Sequence, residues 1–217
     1  MKTDKQLQQD VIAELGWEPS VNASQIGVEV KDGIVTLAGH VDSFTEKWNA
    51  ERAAQRVLGV KALATEMDIK LPGSSHRNDA DIARSAENAL QWTTYVPNDE
   101  IKVMVENGWV TLSGEVDWGY KKQAAAAAIR NLLGVKGVSD QIAIKPKASV
   151  SAVKSDIEAA LKRCARNEAE AISVDVDGGK VTLSGSVHSW SERESAANSA
   201  WRAPGVCKVV DNITVSY

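Results

Sequence analysis

Apolar residues recur at a spacing of four in three separate stretches, Leu7/Val11/Leu15, Ile82/Ala86/Leu90 and Val153/Ile157/Leu161. That spacing runs one stripe down a helix and predicts an amphipathic helix in each stretch. Alternating positions follow, at Ile26/Val28/Val30, Ile101/Val103/Val105 and Ile172/Val174/Val176, and a period of two turns one face of a strand inward. The chain then reverses at Asp32-Gly33, Asn107-Gly108 and Gly178-Gly179, dipeptides that tolerate positive φ at both central positions of a type I′ hairpin. A second strand carries Val35/Leu37, Val110/Leu112 and Val181/Leu183, and ends at Gly39, Gly114 and Gly185. A residue without Cβ there permits a bulge or a close backbone approach.

Ser43-x-x-Glu46 and Ser189-x-x-Glu192 read as capping boxes that open a second helix. The middle copy has Trp118-x-x-Lys121 instead, so Asp117 is the expected cap there. Small residues fill this helix, among them Ala50/Ala54, Ala125 to Ala128 and Ala196/Ala197/Ala200, which lets it sit close on a sheet. Leu63/Met67/Ile69, Val138/Ile142/Ile144 and Val209/Ile213/Val215 mark a closing strand. The three copies align without gaps at offsets of 75 and then 71 residues, carrying Val35-Thr36-Leu37 onto Val110-Thr111-Leu112 and Val181-Thr182-Leu183. A repeat this long is a complete fold, since solenoid units run to about 20–50 residues. The expectation is an α+β chain of three tandem αββαβ domains, at residues 1–71, 78–146 and 150–217, each a three-stranded sheet covered on one face by two helices. Pro-, Gly- and Ser-containing linkers, Leu71 to His76 and Lys145 to Ser149, separate them.

Composition narrows the function classes. With 43% hydrophobic and 25% charged residues the 217-residue chain reads as folded and globular. Its net charge is −4, and acids equal or outnumber bases in each copy, so no unit is a dedicated nucleic-acid module. Met1 to Gln6 leads straight into a polar amphipathic segment rather than an export signal, which places the protein in the cytoplasm, peripheral to the inner membrane where it meets lipid. A trimmed mature form would instead belong in the periplasm. Cys164 and Cys207 have no CxxC spacing and read as reduced thiols.

The V-T-L-x-G strand, the Gly-Val pairs at Gly59-Val60, Gly134-Val135 and Gly205-Val206, and endings such as Val138-Ser139-Asp140-Gln141-Ile142 and Val209-Val210-Asp211-Asn212-Ile213 together resemble the BON domain in all three copies. The resemblance implies an αββαβ fold and a non-enzymatic role, binding phospholipid membranes or supporting the envelope under osmotic stress. A potassium-binding member of the family implies a further alternative, a sensor of a small ion or metabolite.

Seven tryptophans against one phenylalanine supply the candidate contact residues. Each tryptophan aligns with a polar residue or glycine in at least one other copy: Trp17 and Trp92 with Arg163, Trp48 with Gln123 and Glu194, Trp109 with Lys180, Trp118 with Ser43 and Ser189, Trp190 with Gly119, and Trp201 with Gln55 and Arg130. A position that accepts Lys, Glu or Ser in one copy is not central to the core of another, because an unpaired buried charge is too costly. The rings therefore belong at domain margins. Trp17 and Trp92, at the end of the first helix, are candidates for contact with an anionic phospholipid surface or a protein partner, together with Lys162, Arg163 and Arg166 at the same place in the third copy and Trp118, Lys121 and Lys122 in the second. Trp48, Trp190 and Trp201 are candidates for contacts between domains or, in a homo-oligomer, between chains. The glycines Gly33, Gly39, Gly108, Gly114, Gly179 and Gly185 are read as turn or bulge residues. His40, His76 and His188 are scattered, nucleophile-elbow, zincin, Walker and dinucleotide motifs are missing, and no catalytic residue, cofactor or metal site is expected.

Overall fold

The computed structural model describes residues 2–96, 100–145, 153–164 and 172–216, with the side chains of 153 and 161–164 outside that description. The first unit runs α1 (Asp4–Trp17), β1 (Ile26–Lys31), β2 (Ile34–Val41), α2 (Phe44–Arg56) and β3 (Ala62–Ile69). The second repeats this order as α3 (Asp79–Gln91), β4 (Ile101–Glu106), β5 (Trp109–Val116), α4 (Gly119–Arg130) and β6 (Gly137–Ile144). The third is α5 (Val153–Cys164), β7 (Ile172–Asp177), β8 (Lys180–Val187), α6 (Trp190–Trp201) and β9 (Lys208–Val215). Each unit owns its sheet, and no described strand crosses from one unit to another. The middle strand of each sheet pairs antiparallel with the first and parallel with the last. A parallel return needs a crossover, which the second helix provides.

The stripes read from the sequence become the cores. In the first unit Leu7, Val11 and Leu15 of α1 are buried against Val35 and Leu37 of β2 and Ala50, Ala53 and Ala54 of α2. Ile82, Ala86 and Leu90 meet Val110, Leu112, Ala125 and Ile129 in the second unit. Ile157 meets Val181, Leu183, Ala196 and Ala200 in the third, where the side chains of Val153 and Leu161 lie outside the described residues.

The hairpins take positive φ at both central residues, 54° and 80° at Asp32-Gly33 and 53° and 81° at Asn107-Gly108, as a type I′ turn requires. In two units the turn is also anchored to the first helix. The Asp4 carboxylate accepts from the backbone N–H groups of Asp32 and Gly33 at 2.8 and 3.1 Å, and Asp79 accepts from Asn107 and Gly108 at 2.8 and 2.9 Å. The corresponding residue of the third unit is Val150, outside the described residues. Gly39 and Gly114 sit at φ of 132° and 130°, where an added Cβ would overlap the carbonyl oxygens of Gln25 and Glu100. The close approach expected of these glycines is therefore of one backbone on another.

Two capping assignments change. The Ser43 and Ser189 hydroxyls do accept from the N–H groups of Glu46 and Glu192. The returning carboxylates, however, pass beyond the cap residue. Glu46 accepts from Asp42 and from Asn22 in the loop between α1 and β1, and Glu192 from His188, so the boxes are replaced by bonds to residues outside the helix. A reciprocal box is instead present at Thr3 and Gln6. In α4 the cap position falls on Trp118, whose side chain makes no capping bond, while Asp117 pairs with Lys121 at 2.6 Å. An i,i+4 ion pair has taken the carboxylate from the role expected of it.

Backbone overlap and mere backbone conformation can be separated experimentally. Gly114→Ala places a methyl against the Glu100 carbonyl and is expected to destabilise the chain by more than about 2 kcal/mol, whereas Gly178→Ala, at φ 53° with nothing within 4 Å of its Cβ, should cost about 1 kcal/mol. Urea unfolding of the full chain measures both, and equal losses would contradict the assigned contact.

Candidate functional site

The second helices meet end to end, and each junction uses equivalent positions of different chemistry. At the start of α2, Phe44 packs on the core of the second unit, and Thr45 Oγ1 donates to the backbone carbonyl of Arg130 at the end of α4 at 3.0 Å. The start of α4 is Gly119, whose missing side chain leaves room for Trp201 at the end of α6; a Cβ there would lie 3.1 Å from the ring. At the start of α6, Trp190 packs on the core of the first unit and donates its indole N–H to the Val60 carbonyl just beyond α2, at 2.7 Å. Unit one touches two, two touches three and three touches one. Three such head-to-tail contacts close a ring.

One turn further along each helix a second set of equivalent positions completes the junctions. The guanidinium of Arg130 lies over the Trp48 ring, 3.9 Å from ring centroid to Cζ. Gln123 Nε2 donates to Asn198 Oδ1 at 3.3 Å. Glu194 takes a two-pronged bond from Arg52, at 2.6 and 2.7 Å. Trp48, Trp190 and Trp201 thus all lie at contacts between units of one chain. Arg52, Arg130, Gly119 and Phe44 are partners that the sequence reading passed over. Their signal was present in the alignment, since the helix-start series Phe44, Gly119, Trp190 is matched by the helix-end series Arg130, Trp201, Gln55, with the smallest residue facing the largest.

The other candidates are placed very differently. Trp17 and Trp92 are 84% and 88% exposed, nearly as open as in an extended chain, and neither packs on a core. Trp118 lies against Tyr120, which meets Tyr95 edge to face at 5.7 Å, giving the second unit an aromatic cluster whose tyrosines are 43% and 60% exposed. Lys121 is held by Asp117, and hydrogen bonding to that carboxylate is the main reason its pKa is raised. Lys122 donates to the Ile142 carbonyl at 2.7 Å and stands 3.5 Å from Asp140. Both charges are therefore satisfied within the second unit. The side chains of Lys162 and Arg163 and the whole of Arg166 lie outside the described residues.

For chemistry the junctions offer packing rather than reactive groups. Among the described residues no group of three His, Cys, Asp or Glu could hold a metal. His188 Nδ1 is 3.0 Å from the Ser216 carbonyl, a contact that ties the loop before α6 to the end of β9. Burial raises the pKa of Glu51 on α2, and Lys47 and Thr65 offset the shift. A cavity of about 340 Å³ between α2 and α6 is lined by Arg52, Arg56, Arg193, Glu194 and Asp211 around Trp190. Every guanidinium in it already faces a carboxylate, Arg56 those of Glu14 and Glu18 and Arg193 that of Asp211.

The ring makes a direct demand on Trp190. Trp190→Ala is expected to destabilise the chain by about 3 kcal/mol and to raise the radius of gyration in solution scattering as units one and three part. Trp190→Phe, which loses the bond to Val60 but keeps much of the packing, should cost about 1 kcal/mol without opening the ring. Trp17→Ala should leave both readings unchanged. A compact scattering profile for Trp190→Ala would contradict the closure.

Comparison with known proteins matches the BON domain at residues 3–70, 78–146 and 149–217. Osmotically-inducible protein Y of Escherichia coli (strain K12) is similar, at 27% identity over 146 residues that span 65% of this chain and 73% of that protein. Among solved structures, CdsD, a structural protein of the type III secretion system of Chlamydia trachomatis, matches 97% of this chain and 92% of its own at 14% identity and a TM-score of 0.28. The C-terminal domain of CdsD matches all of both chains at 12% identity with the same TM-score. With three family matches that leave out only residues 1–2, 71–77 and 147–148, and three αββαβ units beneath them, the chain belongs to the BON domain family.

Proposed function

We propose that this protein is a non-enzymatic, stress-related binding protein that docks reversibly on anionic phospholipid surfaces through Trp17 and Trp92. The observation that carries this reading is the exposure of those two rings at equivalent ends of α1 and α3. An indole left open to water contributes little to folding, and tryptophan is the side chain best suited to the boundary between water and lipid. The ring adds geometry. Units related by equivalent junctions carry equivalent positions on one side, so Trp17 and Trp92 belong to one rim, and the sequence places Lys162 and Arg163 at the position equivalent to theirs and beside it in the third unit. The similarity to an osmotically-inducible protein supports a role under osmotic or envelope stress.

Magnitudes make the contact weak and reversible. Two indoles contribute about 2 kcal/mol each and three basic residues about 1 kcal/mol each, together about 7 kcal/mol, or half-binding on the order of 10 µM accessible lipid. Insertion across a bilayer is a separate matter: among the described residues no helix is long and apolar enough to cross a membrane.

Flotation with phosphatidylglycerol vesicles tests the proposal. The full chain should float at low salt, lose most binding in 0.5 M NaCl as screening removes the basic contribution, and bind at least tenfold more weakly as the Trp17→Ala/Trp92→Ala variant. A wild-type chain that stays in the dense fraction at low salt, or a double variant that floats as well as the parent, would overturn it.

A further inference from the structure

We infer that the place where the three second helices meet is a binding site for a small oxyanion of the phosphate class, with Arg130 as its principal donor. Trp48 and Arg52 come to this place from the first unit, Arg130 from the second and Glu194 from the third. Two guanidinium groups approach the one indole, with Cζ of Arg130 at 3.9 Å and that of Arg52 at 4.7 Å from its centroid. Among the described residues one carboxylate, that of Glu194, faces them. Glu194 is taken by both terminal nitrogens of Arg52, and the positions equivalent to Glu194 in the other units hold Trp48 and Gln123, neither of which carries a negative charge.

Arg130 is therefore the exception among the arginines of these junctions. Arg52, Arg56 and Arg193 each face a carboxylate, whereas the guanidinium of Arg130 is in contact with the Trp48 face and, among the described residues, has no carboxylate. Burial, and then the neighbouring charge of Arg52, push its pKa below the usual guanidinium value. A guanidinium stays protonated regardless, so the half-buried charge persists and favours an incoming anion. The Trp48 ring attracts the charge without taking up the N–H groups as a carboxylate would, and a guanidinium presents those donors in the fork geometry that matches phosphate or carboxylate. The 340 Å³ cavity beside α6 is the poorer candidate, because a ligand there would have to break ion pairs already made.

The inference does not depend on membrane docking, and its test separates the two. Inorganic phosphate titrated into the full chain at constant ionic strength, against chloride, should raise the unfolding temperature and give a saturable calorimetric signal. Arg130→Gln should weaken that affinity at least tenfold, Arg130→Lys by less, and Arg84→Gln, an exposed arginine on α3, by nothing. Arg130→Gln loses its contact with Trp48 along with an uncompensated charge, two opposing effects, so its unfolding temperature in phosphate-free buffer should stay within a few degrees of the parent's, and that reading guards against simple misfolding. Phosphatidylglycerol vesicles form the second arm, in which Arg130→Gln should float like the parent while the Trp17→Ala/Trp92→Ala variant keeps its phosphate affinity. No response to phosphate up to 10 mM, a response that survives Arg130→Gln, or an Arg130→Gln variant that loses flotation with no phosphate binding in the parent would each overturn the assignment.

Discussion

The arrangement of this protein depends on a helix that must be buried on two sides at once. Each second helix covers the sheet of its own unit and also supplies, at its two ends, contacts to the other two units. A helix with long apolar residues on both surfaces would be held away from one partner or the other. Here alanines face inward, Ala50, Ala53 and Ala54 in α2, Ala125 in α4, and Ala196 and Ala200 in α6, all buried. Close seating on the sheet leaves the helix ends, where the large side chains stand, free to project sideways into the neighbours.

Because the three units are copies, their junctions had to be made different for the chain to choose one closure. Identical head-to-tail surfaces would allow any unit to meet any other, within a chain or between chains, the hazard of repeated domains. The equivalent positions have diverged in compensating ways. Glycine faces tryptophan at Gly119 and Trp201, a glutamate faces an arginine at Glu194 and Arg52, and an amide faces an amide at Gln123 and Asn198. Exchanging two units would set Phe44 against Trp201 and Glu194 against Ala127, with a clash at the first and an unmatched charge at the second. Such mismatches specify an arrangement as much as the matches do.

How much of this was legible in the sequence follows from the range of each interaction. The three units, their strands and their core stripes could be read because the cores are local to units of about 70 residues and burial imposes periods of four and two. The type I′ hairpins were legible for a stricter reason, since Asp-Gly, Asn-Gly and Gly-Gly satisfy a backbone demand that few dipeptides meet. The glutamates three residues after Ser43 and Ser189 suggested boxes, but a carboxylate takes whichever free N–H the fold brings near, and the loop at Asp42, Asn22 or His188 won. The Asp4 and Asp79 anchors were invisible because 28 residues separate acceptor and donor. Comparing copies showed that the tryptophans stand outside the cores. It could not show which of them face another unit and which face water, because that depends on how the units are set against one another.

That division among the tryptophans is the main functional consequence of the ring. Trp48, Trp190 and Trp201 are spent holding units together, and mutual docking fixes the spacing of whatever the units display. Trp17 and Trp92 project from separate first helices, so on a freely jointed chain each would meet a surface independently, with little gain from the other. In the proposed docking, indoles fixed on one ring would make the second contact follow the first at high effective concentration, so that two weak attachments multiply rather than merely add. The same closure brings Arg52, Trp48 and Arg130 within reach of one another, which a loose string of units would not do. A ring of three small domains thus brings together side chains unremarkable in any one unit: it sets the two exposed indoles proposed for docking in a fixed relation, and at its centre, among the described residues, two arginines meet one indole and one carboxylate.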